Sequence, residues 1–102
     1  MPTPKLFEPL ALRGLTLSNR IVVSPLCQYS GVEGCPQPWH YAHLGGFVMG
    51  GAGLVFIEAT AVEPAGRITH GCLGLYDDDT EDAFADLLRY LDRKSTRLNS
   101  SH

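Results

Sequence analysis

Between Ser24 and Tyr29 the chain sets a hydroxyl, a proline, a thiol and a phenol close together, in the order Ser24-Pro25-Leu26-Cys27-Gln28-Tyr29. They follow directly on Ile21-Val22-Val23, three β-branched residues that predict a strand buried on both faces, which Pro25 stops because proline lacks the ladder donor. In parallel α/β proteins the C-terminal end of such a strand faces the ligand. Cys27 reads either as a small buried hydrophobe or as a thiol facing that ligand, and not as a nucleophile, because no basic group adjoins it. Tyr29, two residues on, falls on the same side as Cys27 if the chain stays extended. It is either a structural phenol or a hydrogen-bond donor to a carbonyl or nitro oxygen.

Other polar groups have narrower prospects. His40 and His43 have the spacing of a metal-binding pair on one helix face, but no third ligand accompanies them. Glu58, which follows a second apolar run, is either a general base or a charged hydrogen-bond partner in the interior. Asp77, Asp78, Asp79, Glu81 and Asp82 crowd the start of a helical stripe, where capping and the helix dipole account for them without a metal. Gly50-Gly51-Ala52-Gly53 precedes a strand instead of opening a helix, the wrong order for a dinucleotide fingerprint. Trp39, His70, Cys35 and Cys72 read as packing or loop positions.

The elements that would position these groups are legible as periods and breaks. Leu10-Ala11-Leu12 and Leu15-Thr16-Leu17 flank Arg13-Gly14 as a hairpin, with glycine expected to supply the positive φ of the turn. Gly31, Gly34, Pro36 and Pro38 mark a loop, and Tyr41, Leu44 and Val48 then predict a helix from about Pro38 to Gly50. Gly45-Gly46 within it implies a close packing contact that offsets about 1 kcal/mol per glycine. Leu54 to Ile57 predicts a second buried strand, and one helix between two such strands implies a parallel, right-handed βαβ unit. Gly66 to Tyr76 shows no clear period. Phe84, Leu87, Leu88 and Leu91 then mark a second helix.

The chain has 102 residues, a net charge of −3 and no basic run outside its tail, which argues against nucleic acid or an anionic membrane as partner. Three cysteines at irregular spacing suit neither a disulfide framework nor a zinc site, and the odd count fits a reducing, cytoplasmic setting. No apolar run has signal-peptide or membrane-span character.

Six separated blocks together carry a resemblance. They are the strand with its Ser-Pro-Leu-Cys-Gln-Tyr end, Trp39 to Gly45, Gly50 to Leu54, Glu58 to Val62, Gly66 to Thr69 and Leu73 to Tyr76. In this order and spacing they resemble the N-terminal part of the Old Yellow Enzyme family, and Cys27 points to its bacterial NADPH dehydrogenase and xenobiotic reductase branch. The resemblance implies an α/β fold, the first two βα units of a TIM (β/α)8 barrel behind an N-terminal hairpin. Such a barrel needs about 250 residues, so residues 1–91 would be its N-terminal fragment. It also implies FMN as cofactor and NAD(P)H as reductant, with an enone or a nitro compound as small-molecule substrate. Ser24, Pro25, Leu26, Cys27 and Ala59 would contact FMN, Cys27 tuning its potential and Ala59 acting through its main chain, while Tyr29 would meet the substrate. The family's His/His or His/Asn pair for the substrate oxygen lies further along the chain, so His40 and His43 do not inherit that role. The phosphate site is also expected beyond this sequence, Arg67 has no assigned contact, and a homo-oligomer is left open. A dienoyl-CoA-reductase-like flavin and iron-sulfur enzyme and a non-catalytic βαβ interaction module are the alternatives.

Residues 92–102 depart from the leucine period of the second helix, and their string looks like a translated sequencing adapter, a non-native tail. Without them five Lys/Arg face ten Asp/Glu, a net charge of −5.

Overall fold

The computed structural model describes residues 3–95. After a short 3-10 turn at Lys5–Phe7, strands β1 (Leu10–Leu12) and β2 (Leu15–Leu17) pair as an antiparallel hairpin with Leu10 opposite Leu17 and Leu12 opposite Leu15. Only Leu17 of its leucines is fully buried. The positive φ of the turn belongs to Arg13, at 54°, and not to Gly14 as the sequence suggested. The left-handed residue is thus the first of the two between the strands, the position at which both primed hairpin turns require it.

Strand β3 (Val22–Val23) pairs in parallel with β4 (Leu54–Val55), and helix α1 (Pro38–Met49) lies between them in the chain. The expected helix bounds and parallel pairing are both present. Burial on both faces is not: Val22 is 48% exposed and Phe56 47%. Each strand has a single hydrogen-bonded neighbour, so the outer edge and one face of this sheet remain uncovered.

The stretch without a clear period holds strand β6 (Leu73–Gly74), which pairs in parallel with β5 (Thr60–Ala61) across a 3-10 turn at Pro64–Gly66. Helix α2 (Asp78–Lys94) follows, and Asp77 caps it by accepting a 2.8 Å hydrogen bond from the Thr80 amide. The fully buried Thr80 hydroxyl also accepts from the amides of Tyr76 and Asp77, which closes the entry into the helix. The acidic cluster therefore includes the cap itself, with Asp78, Asp79 and Glu81 in the favourable first turn.

The core forms where α1 meets α2. Leu44, Leu87 and Leu91 are buried, with Tyr41, Val48, Val55, Ile57 and Tyr90 packed around them. Gly45 has the close contact expected of it, since a Cβ there would sit 3.2 Å from the Tyr90 ring; Gly46 has nothing within 4 Å and no packing reason of that kind. Leu88, predicted on the apolar stripe, is 52% exposed and lines an open groove beside Leu54 and Val55. Helix α2 runs past Leu91 to Lys94, and residues 96–102 of the expected tail lie outside the described residues.

Candidate functional site at the ends of two parallel strands

Because β3 and β4 are parallel, their C-terminal ends open on the same side, and the Phe56 amide donates to the Val23 carbonyl at 3.0 Å just where the strands stop. Ser24, Pro25, Leu26 and Cys27 continue from one end, Glu58 and Ala59 from the other. Ser24, Pro25 and Ala59 are exposed, Leu26 is 48% exposed and Cys27 half-buried. The N–H groups of Leu26, Cys27 and Ala59 make no hydrogen bond among the described residues. Free strand-end amides beside an open apolar surface suit a flat heteroaromatic ring whose edge accepts hydrogen bonds. On that observation the expected FMN contacts fit the residues present. Ala59 also borders a small cavity of about 80 Å³ that it shares with Arg67, Ile68 and Cys72, far too small for a flavin, so the open platform and not this cavity is the candidate site.

Tyr29 does not continue the extended strand. Its φ is +55°, a left-handed conformation that costs a residue with a Cβ about 1–2 kcal/mol. The expectation that an extended chain aligns it with Cys27 is therefore overturned. What holds the turn is backbone crowding from the loop before β6: the Gly31 amide donates to the Gly71 carbonyl at 2.8 Å, and a Cβ on Gly71 would come within 2.5 Å of the Tyr29 carbonyl carbon. Only a residue without a side chain allows that approach. Tyr29 is 63% exposed at this place. Gly71→Ala is accordingly expected to push the two segments apart and to lower stability by about 1–3 kcal/mol, as overpacking does. Gly14→Ala, with nothing within 4 Å, is the matched control, and thermal melts of the full-length protein that respond equally to both changes would refute the account.

Glu58 has the interior partner that one of its two readings required. It is 7% exposed, and its Oε2 lies 3.5 Å from Nε2 of His40, which is wholly buried. His40 is the third residue of α1, and its Nδ1 accepts a 2.9 Å hydrogen bond from the Gln37 amide. That lone pair being occupied, the ring is neutral and carries its single proton on Nε2, facing the carboxyl group. Burial depresses the pKa of His40 and raises that of Glu58, the second effect opposed by the Gln28 amide and His43. At 3.5 Å the contact of His40 with Glu58 is a close approach and not a hydrogen bond, and neither His40 Nε2 nor Glu58 Oε1 has a hydrogen-bond partner among the described residues. The pair fastens the end of β4, next to Ala59, to the head of α1. His40 was legible as unusual, but its partner Glu58 lies on another segment, and no local spacing announces it.

His43 packs between Trp39 and Phe47, with ring centroids 5.9 Å and 5.1 Å away. Arg67 donates from Nε to the Pro64 carbonyl at 3.2 Å. The Cys72 thiol is buried, and hydrogen bonding with the Thr69 hydroxyl and from the Thr69 amide depresses its pKa, a feature that the packing reading did not anticipate.

Residues 5–96 match the NADH:flavin oxidoreductase / NADH oxidase family. An NADPH dehydrogenase of Bacillus pumilus is 47% identical over 85 residues, covering 81% of this chain and 25% of its own length. Among solved structures, morphinone reductase in complex with tetrahydroNAD superposes with a TM-score of 0.82 at 28% identity, over 93% of this chain and 26% of that one. The Old Yellow Enzyme of Pichia sp. AKU4542 superposes with a TM-score of 0.82 at 19% identity, a likeness of fold alone, over 91% of this chain and 24% of that one. The chain thus spans about a quarter of the length of these relatives, and it superposes on the matching part of the two solved structures, which are TIM-barrel enzymes, as an incomplete barrel. With the family match covering nearly the whole described chain, and the relatives agreeing in sequence and in fold, the chain belongs to the NADH:flavin oxidoreductase family of the Old Yellow Enzymes.

Proposed function

We propose that the protein carrying this sequence is an FMN-dependent oxidoreductase that draws on NADH or NADPH and reduces the activated C=C bond of an enone or a nitro compound. The observation that carries this reading is the open platform at the paired ends of β3 and β4, with its free amides, in a chain of this family. The bound nicotinamide analogue in morphinone reductase supports the choice of reductant. FMN, when bound, supplies the hydride chemistry.

The residues of this chain have the tasks of binding and orienting. The peptide groups of Ser24 to Cys27 and of Ala59 hold the flavin edge, and Pro25 and Leu26 give it an apolar bed. The Cys27 thiol borders the ring and adjusts its affinity for electrons through local polarity. Tyr29, held out from the turn, donates a hydrogen bond to the substrate oxygen. The His40 and Glu58 pair ties the end of β4, next to Ala59, to the head of α1. Neither the iron-sulfur alternative nor the interaction module is favoured by any of these features.

The purified full-length protein is expected to be yellow, with a flavin absorption band that an interaction module lacks. Cys27→Ala should retain bound FMN, because the peptide contacts survive, while shifting its reduction potential and the balance of the two half-reactions. A colourless full-length protein would refute the function, and an unchanged potential would return Cys27 to core packing.

A further inference from the structure

Gln28 stands between the two residues assigned to the flavin and the substrate, and it uses both ends of its side chain. Its Nε2 donates to the Leu26 carbonyl at 2.9 Å, and its Oε1 accepts from the Trp39 indole N–H at 2.8 Å. Its own carbonyl accepts from the Ser30 hydroxyl at 2.9 Å. The peptide run on either side of Tyr29 is therefore pinned from Leu26 to Ser30, and the pin is anchored on a second element. Trp39 is the second residue of α1, and its ring leads a file of aromatic side chains, Trp39, His43 and Phe47, spaced one helical turn apart.

We propose that Gln28 is a positioning residue for Tyr29: its carboxamide ties the end of β3 to the head of α1 and so holds Tyr29 in the left-handed conformation that presents its phenol to the substrate. The inference rests on the functional reading of Tyr29 given above. A left-handed tyrosine reverts to extended backbone unless its surroundings over-determine it. Gly71 supplies one side of that constraint and Gln28 the other. The chemistry selects glutamine. A carboxylate at position 28 keeps an acceptor for the indole but loses the donor to Leu26, and an apolar side chain of the same length loses both.

The test uses the full-length, flavin-loaded protein with cyclohex-2-enone as probe substrate. Gln28→Met preserves length and volume. It is expected to raise KM about 3- to 10-fold, the effect of one or two net hydrogen bonds, with kcat within about twofold. Backbone hydrogen exchange in the peptide spanning residues 26–31 should accelerate by a similar factor, and Trp39→Phe, which keeps the ring and removes the donor, should reproduce that acceleration. Combined with Tyr29→Phe, Gln28→Met should add nothing further to KM, because it acts only through the phenol. Unchanged exchange, unchanged KM or a fully multiplicative double variant would overturn the proposal. A wild-type protein without flavin would overturn the functional reading, whereas a yellow, active wild type with an indifferent Gln28→Met variant would overturn this inference alone.

Discussion

The polypeptide of residues 1–102, produced by itself, is expected neither to melt cooperatively nor to bind FMN at micromolar concentration. Seven apolar residues are buried, whereas fifteen large hydrophobic residues are exposed among those described. The described chain extends 51 Å by 26 Å by 26 Å and has a radius of gyration of 15.2 Å. A compact domain of this length has a radius of about 13 Å. Its six strands form three separate two-stranded sheets, each with unpaired edges, and isolated pairs of this size are marginal in water. An apolar groove lined by Val48, Leu54, Val55, Ile57, Leu88 and Leu91 is open along β4 and α2. The cluster between α1 and α2, with Leu17, Cys72, Leu73 and Phe84 buried outside it, has to offset the conformational entropy of the whole chain, about 1–2 kcal/mol per ordered residue for the backbone. Circular dichroism should therefore show a broad, non-cooperative loss of helix on heating, and flavin fluorescence should be unquenched by the fragment. A sharp melting transition together with flavin binding would establish a self-sufficient small flavin module instead.

Features set by neighbouring residues were legible in the sequence, and features set by distant ones were not. Helix α1 was readable from Pro38 at its start and Gly50 at its end, and α2 from Phe84, Leu87 and Leu91, because caps and periods are local. The hairpin was readable from alternating leucines on either side of Arg13-Gly14, but the turn placed its left-handed residue at Arg13 and not at the glycine. Strands β5 and β6 contribute two residues each, and no period survives at that length; their pairing sets Thr60 opposite Leu73 and Ala61 opposite Gly74, partners that are distant in the chain. At the site, the order of residues along β3 and β4 was readable because parallel strands bring their C-terminal ends together. The turn at Tyr29 was not, since it depends on Gly71, and Gly71 looks like any loop glycine. Glu58 was recognisable as a residue in need of a partner, but the partner's identity came only with the fold.

Removing His40 is expected to produce the largest single-residue loss of stability, and one that depends on pH. His40→Leu leaves the Glu58 carboxyl group buried without the neutral imidazole N–H that faces it and the Gln37 amide without its acceptor, each a loss of about 1–3 kcal/mol for a polar group left unsatisfied. The double variant His40→Leu/Glu58→Leu should recover much of it, because two apolar residues need no partner. The pH dependence follows from the opposite shifts of the two groups. His40 is depressed below its ordinary 6.5, so its contribution is fully present above that value and is lost as pH falls toward the folded pKa, where only the unfolded chain gains a proton. Glu58 is raised above its ordinary 4.5, so its contribution is fully present below that value and is lost as pH rises toward the folded pKa, where only the unfolded chain releases its proton. His43 lies close enough to act on both groups and is retained in every variant. Between 4.5 and 6.5 the two slopes oppose each other, and each substitution exposes the remaining one. Glu58→Gln should grow more stable as pH rises toward 6.5, while His40→Leu should lose stability as pH rises above 4.5. Chemical denaturation of the full-length protein and both variants across this range measures the slopes directly. Parallel curves for the two variants would mean that His40 and Glu58 do not titrate against one another and that the pair serves packing alone.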